Sequence, residues 1–209
     1  MEKLILSKAG ELFFSYGLKS VSMDDISRHA AISKKTIYKS FDDKTQLVER
    51  LVNELLTCTK QHLEKCRAES DNAIEQAVLV TETSVQVVRE ISPTFFFELE
   101  KFCPGVWKSI DEHNRHFMMP LIAENLNRGI KEELYRPEID ISFTTHLRLQ
   151  QLLTVPDAKN HGNKLVESGK LMKQLTEFYL HAIATSKGKK LISKYLNEYN
   201  ERHFSNGNN

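Results

Sequence analysis

Lys34, Lys35 and Lys39 lie close together in the stretch AISKKTIYKSF at residues 31–41, interleaved with the hydroxyls of Thr36, Tyr38 and Ser40. Placed on a helix at about 100° per residue, Ile37 and Phe41 share one face. Lys35 and Lys39 lie nearly opposite, with Thr36 and Tyr38 on the flanks. Two lysines at i and i+4 repel each other, which weakens an isolated helix. The pattern makes physical sense if an anionic partner covers that face. A helix N-terminus adds partial positive charge and free N–H groups suited to phosphate. Short or rigid hydroxyl donors are the types that hold a phosphate backbone in register. Lys44, at the start of the next helix, opposes that helix's dipole unless an anion is near.

The elements that position these donors follow from pattern. Ile5, Ala9, Leu12, Phe13 and Tyr16 form one apolar stripe at helical spacing. Gly17 supplies a left-handed closing residue. Ser22-Met23-Asp24-Asp25 has the form of a capping box and opens a short helix with Ile26 and Ala30 inward. That helix stops near Ala31-Ile32. Ser33 is a good N-cap, and a third helix is predicted from Lys34 to about Phe41. Asp43-Lys44-Thr45-Gln46 repeats the capping pattern and opens a long fourth helix, with Leu47, Val48, Leu51, Val52, Leu55 and Leu56 on its stripe. A helix over Met23 to Ala30, a turn over Ala31 to Ser33 and a helix from Lys34 have the spacing of a helix-turn-helix. In that motif the second helix enters the major groove, where lysine can donate to guanine O6 and N7.

Residues 5–50 resemble the N-terminal domain of the TetR family of bacterial transcriptional regulators. The resemblance rests on Phe13-x-x-x-Gly17, the Ser22 cap, Asp25-Ile26, then Ala30-Ala31-Ile32-Ser33 running into Thr36-Ile37-Tyr38-x-x-Phe41, with Lys44 three residues later. It implies an all-α fold: an N-terminal three-helix DNA-binding domain with a helix-turn-helix, joined by a long helix to a C-terminal helical domain for ligand binding and dimerisation. It assigns Lys34 and Lys35 to bases or nearby phosphates. Thr36, Tyr38, Ser40 and Lys44 become backbone anchors, and Ser22 a contact at the cap of the second helix. Lys39 is a groove contact on geometry, and Ser33 caps the reading helix. Ala31 and Lys35 stand where the family commonly has glycine. The turn is therefore made without the easy left-handed residue, and a long cation projects from the groove face.

The remaining chain reads as helices over 71–91, 93–102, 104–116, 117–129, 138–154, 164–186 and 188–203, with prolines near starts or breaks. The domains are predicted as 1–46 for DNA binding, 47–203 for the effector and dimerisation, and a flexible tail over 204–209. Segment 74–126, where the family keeps its effector pocket, is rich in aromatic and methionine side chains, which suit an adaptable apolar cavity. The candidates are Phe95, Phe96, Phe102, Trp107, His113, Phe117 and Met118. The effector expected is a small apolar or amphipathic molecule. Stripes on the late helices predict a self-complementary surface for a homodimer, with Leu149, Leu152, Leu153, Met172, Leu175, Tyr179, Ala182 and Ile183 as candidates. The partners expected are therefore a double-stranded palindromic operator, a second copy and the effector.

Formal net charge is +1, so the basic character is local. Three cysteines, no signal-like N-terminus and no bilayer-length apolar span point to a reducing cytoplasm and no membrane. Cys58, His62 and Cys66 fall at i, i+4 and i+8 on the fourth helix. The ends of that row are about 12 Å apart at 1.5 Å per residue, so at most one adjacent pair shares a soft metal. A metal- or thiol-responsive regulator using these residues is one alternative; a regulator with no small-molecule effector is another. No metal and no cofactor is assigned. No phosphate loop, nucleophile elbow or paired carboxylate cleft is present, which argues against an enzyme.

Overall fold

The computed structural model describes residues 1–160 and 168–204, and among them forms eleven α-helices and one π-helical turn. The first four helices are α1 (Glu2–Tyr16), α2 (Met23–His29), α3 (Lys34–Tyr38) and α4 (Lys44–Glu69). They are followed by α5 (Ala73–Glu90), α6 (Pro93–Phe102) and α7 (Pro104–His113), then a π turn (Asn114–Met118) leading into α8 (Met119–Lys131). The last three are α9 (Ile141–Asn160), α10 (Ser168–Ile183) and α11 (Ser186–Phe204). The predicted start of the 164–186 helix, and the tail beyond 204, lie outside the described residues.

Sequence and structure agree on where most helices start, because the caps form as read. Ser22 Oγ accepts from the Asp25 N–H at 3.2 Å, and Asp25 accepts from the Ser22 N–H at 2.8 Å. Ser33 accepts from Thr36 at 3.1 Å, Asp43 from Gln46 at 2.8 Å, and Asn72 from Ile74 and Glu75 at 3.1 Å. Three differences stand against that agreement. Helix α3 ends at Tyr38 rather than near Phe41: it tightens into a turn in which the Ser40 N–H donates to the Ile37 carbonyl at 2.9 Å, and Phe41 follows, buried at 1% exposure. The segments over 104–129 are continuous through the π turn. Pro120, which lacks an N–H and would crowd the carbonyl four residues back, follows that wider turn directly. Helix α9 carries Pro156 inside it instead of ending at 154.

Two hydrophobic clusters hold the molecule. The first joins Ile5, Phe13, Ile26, Ile37, Phe41, Leu47 and Leu51 of the N-terminal helices to Ile91, Phe95, Leu99 and Val106 from the α5–α7 region. The second packs Leu63 and Ile74 with α8 to α11, including Leu126, Leu149, Met172, Leu180 and Ile192. The clusters do not divide at residue 46: Leu47 to Val52 belong to the first, and α6 and α7 contribute to the same core as the three short helices. Among the described residues, no helix is long and apolar enough to cross a membrane.

Candidate nucleic-acid interface and ligand cavity

Helix α3 is split by burial. Ile37 is fully buried, while Lys34, Lys35, Lys39 and Ser40 are exposed and Tyr38 is 48% exposed. Thr36 is half-buried, its hydroxyl 2.8 Å from Ser33 Oγ. Lys34 forms a 2.7 Å ion pair with Asp24 on α2, which stabilises its charged form and raises its pKa. Ser22 is exposed at the start of α2, and its hydroxyl also lies against Asp25. The turn between the helices is made by Ala31 itself, at φ 53. Few alanines adopt this left-handed conformation, and it costs about 1–2 kcal/mol.

Lys44 departs from the expected phosphate contact. Its ammonium turns inward, donating to the carbonyls of Leu18 and of Val21, the latter at 2.5 Å, and lies 5.5 Å from the Phe13 ring centroid. Burial lowers its pKa. With both carbonyls occupying the ammonium, Lys44 holds the α1–α2 loop in place.

The expected pocket residues do not gather round one cavity. Phe95 of α6 is fully buried against the N-terminal helices, edge-on to Phe14 at 5.1 Å, and Phe96 and Trp107 pack on the same cluster. Phe102 is 50% exposed. His113 and Phe117 are half-buried neighbours with ring centroids 5.1 Å apart, and Lys60 lies over Phe117. The aromatic-rich helix α6 is thus a docking element. The Ser92 N–H donates to the Phe14 carbonyl at 2.7 Å, and Glu98 accepts from the Lys19 N–H at 2.7 Å.

Met118 alone of that set lines the internal cavity between α5, α8, α9 and α10. This cavity measures about 30 Å³ and has Val80, Leu121, Ile122 and Leu152 on its apolar wall and Arg148 and Asn125 among its polar groups. Arg148, 3% exposed, was not singled out by pattern, although a cation between Thr145 and Leu149 on an otherwise inward face is a readable signal.

The late-helix stripes divide between two faces. Leu149, Leu152, Met172, Tyr179 and Ile183 are buried in the subunit's own core, which corrects their placement on an outer surface. Leu153 and Ala182 are exposed and Leu175 is half-buried. Beside them stand Phe143, Leu147 and Phe178, at 65%, 44% and 70% exposure, residues the stripes did not pick out. Large apolar side chains at such exposure on two adjacent helices mark an interaction surface.

The Cys58–His62–Cys66 row does not converge. Cys58 Sγ is 3.5 Å from His62 Nδ1, while Cys66 turns to Thr83 Oγ1 at 3.5 Å. Among the described residues, no group of three metal-binding side chains comes together.

Residues 5–51, the segment spanning α1 to the first turns of α4, match the model of the bacterial regulatory proteins of the tetR family. These residues form a tetR-family DNA-binding domain. The chain is 22% identical over 184 residues to the HTH-type transcriptional regulator YvaF of Bacillus subtilis (strain 168), covering 88% of this chain and 95% of that one. Its fold is similar to a TetR-family transcriptional regulator from Streptomyces coelicolor, with TM-score 0.62, 19% identity and 94% of each chain covered. It is also similar to the FadR transcriptional regulator of Bacillus subtilis, solved in complex with stearoyl-CoA, with TM-score 0.67, 14% identity, and 86% of this chain and 98% of that one covered. The chain is a helix-turn-helix DNA-binding transcriptional regulator.

Proposed function

We propose that this regulator is a repressor that binds a palindromic operator as a homodimer and leaves it when a small amphipathic ligand enters the C-terminal domain. Residues 1–46 read DNA and 47–203 hold the ligand and the partner copy. The observation that carries the reading is the two-sided burial of α3: Ile37 is anchored, Lys35 and Lys39 are left in solvent on the opposite side, and Tyr38 is exposed on the flank. Lys34 and Lys35 contact bases or adjacent phosphates, Lys39 reaches into the groove, and Ser22, Thr36, Tyr38 and Ser40 fix the register on the backbone, with Ser33 capping the helix. Lys44 acts one step back, by holding the loop before α2. Two-fold pairing through Phe143, Leu147, Phe178 and their neighbours doubles the contact with DNA. The stearoyl-CoA held by the Bacillus subtilis FadR favours a ligand with an apolar body and a charged end.

Anisotropy titrations of labelled duplex test the DNA contacts. Affinity is expected to fall steeply with salt, and Lys35→Ala to weaken binding and flatten the salt slope by about one. Unchanged affinity and slope in both Lys34→Ala and Lys35→Ala contradict the assignment.

A further inference from the structure

Arg148 is the one deeply buried cation among the described residues, and none of the described residues found against it is a carboxylate. The guanidinium donates to Thr176 Oγ1 at 2.8 Å, Thr81 Oγ1 at 3.2 Å and Gln151 Oε1 at 3.4 Å, and stacks 4.7 Å from the centroid of Tyr179. All of these partners are neutral. A guanidinium carries five donors in a fixed fork, and the bonds above to described residues engage three of them. Buried charges are ordinarily paired, because desolvating a lone ion is costly. Here burial brings the pKa of Arg148 down to about 10, and it still keeps the group charged at neutral pH.

The same arginine borders the cavity between α5, α8, α9 and α10, whose other walls are largely apolar, with Val80, Leu121, Ile122 and Leu152. We infer that this cavity is the head-group site of an amphipathic carboxylate, which pairs with the Arg148 guanidinium while its apolar body lies along those side chains. The inference rests on the ligand-release reading above and names the chemistry of that ligand. A planar carboxylate matches the guanidinium fork with two parallel hydrogen bonds.

At about 30 Å³ the cavity holds little more than water, so entry of the ligand widens it. The wall able to give way is the one reached through the π turn. Met118, the last residue of that turn, lines the cavity with a flexible, unbranched side chain. Widening at Met118 shifts α8 and the segment leading back to α7, and α7 shares Val106 with the core beneath the reading helices.

The test is calorimetric titration of the full-length protein with decanoate and, separately, with decanol, in the wild type and in Arg148→Met and Arg148→Lys, with DNA affinity recorded in each case. Decanoate is expected to bind the wild type and decanol far more weakly. Arg148→Met is expected to weaken decanoate by about thirtyfold or more, to leave decanol unchanged and to fold with an unchanged or higher Tm. Arg148→Lys is expected to retain part of the preference. Failure of decanoate to bind, equal binding of decanoate and decanol, or undiminished decanoate binding in Arg148→Met overturns the carboxylate site. If Arg148→Met does not fold, the two wild-type titrations decide. Decanoate binding that depends on Arg148 but leaves DNA affinity unchanged upholds the site and overturns the ligand-release reading instead.

Discussion

Glu98, buried on α6, accepts a hydrogen bond from the backbone N–H of Lys19 at 2.7 Å across 79 positions of sequence. From the other side, the Lys44 ammonium caps the carbonyls of Leu18 and Val21. The loop between α1 and α2 is therefore gripped by α6 and by the start of the long helix α4. This loop is one link, beside the shared core, between α6, α4 and the helices α2 and α3.

Gly17 makes that grip possible. It sits at φ 81 and ψ 172, a region open essentially to glycine, and a Cβ there would stand 2.7 Å from Glu98 Oε2 and 3.0 Å from Thr94 Cγ2. Gly17→Ala is expected to lose about 1–3 kcal/mol in urea unfolding. Glu98→Ala removes the clash but also the bond to Lys19, so the two substitutions are expected to be non-additive by about 0.5 kcal/mol or more in a double-mutant cycle. Additive losses would mean that the two residues do not share the loop.

Much of the reading unit is legible in the sequence because its signals are local. The Ser22, Ser33 and Asp43 caps, the buried Ile37 and Phe41, and the exposed lysines each follow from a few neighbouring residues. The rest was hidden because it depends on which helix lies opposite. A run such as Phe95 to Leu99 fits a ligand pocket and a docking face equally well; the Ser92 and Glu98 contacts with the α1–α2 region decide for docking. An apolar stripe on α10 cannot say from pattern alone that Met172 and Tyr179 turn inward while Phe178 turns out. Lys44 looked free in sequence because the two carbonyls that hold it lie more than twenty residues earlier.

Ala31 carries the left-handed turn of the helix-turn-helix at φ 53. Glycine there relieves a steric cost of about 1–2 kcal/mol and adds back an entropic one of about 0.5–1 kcal/mol. Ala31→Gly is accordingly expected to stabilise the protein by about 0.5–1 kcal/mol, seen as a Tm higher by a few degrees. A lower Tm would show that the turn is not strained.

His113 has its pKa lowered from 6.5, first by burial and then by the nearby Lys60. The unfolded chain therefore binds a proton more readily than the folded one. The stability contributed by neutral His113 is fully present above about pH 6.5 and is lost as pH falls through that value toward the lower folded pKa. Tm measured from pH 7.5 down to 5 is expected to fall less in His113→Phe than in the wild type. Parallel curves would remove His113 as the source.

Phe143 and Phe178 expose apolar rings on α9 and α10 without a partner that would bury them in the subunit. Phe143→Arg together with Phe178→Glu is expected to convert a dimer to a monomer in light scattering at micromolar concentration, leaving the helical circular-dichroism signal intact. A variant that stays dimeric places the self-contact elsewhere.

The most direct test of the account is enrichment of the full-length protein's preferred sites from a random duplex library at physiological salt. The account predicts an inverted repeat, and in Lys35→Ala a changed preference at one symmetric position in each half-site. No enriched sequence, or an enriched site unaffected by Lys35→Ala, would contradict the assignment of α3 as the reading helix.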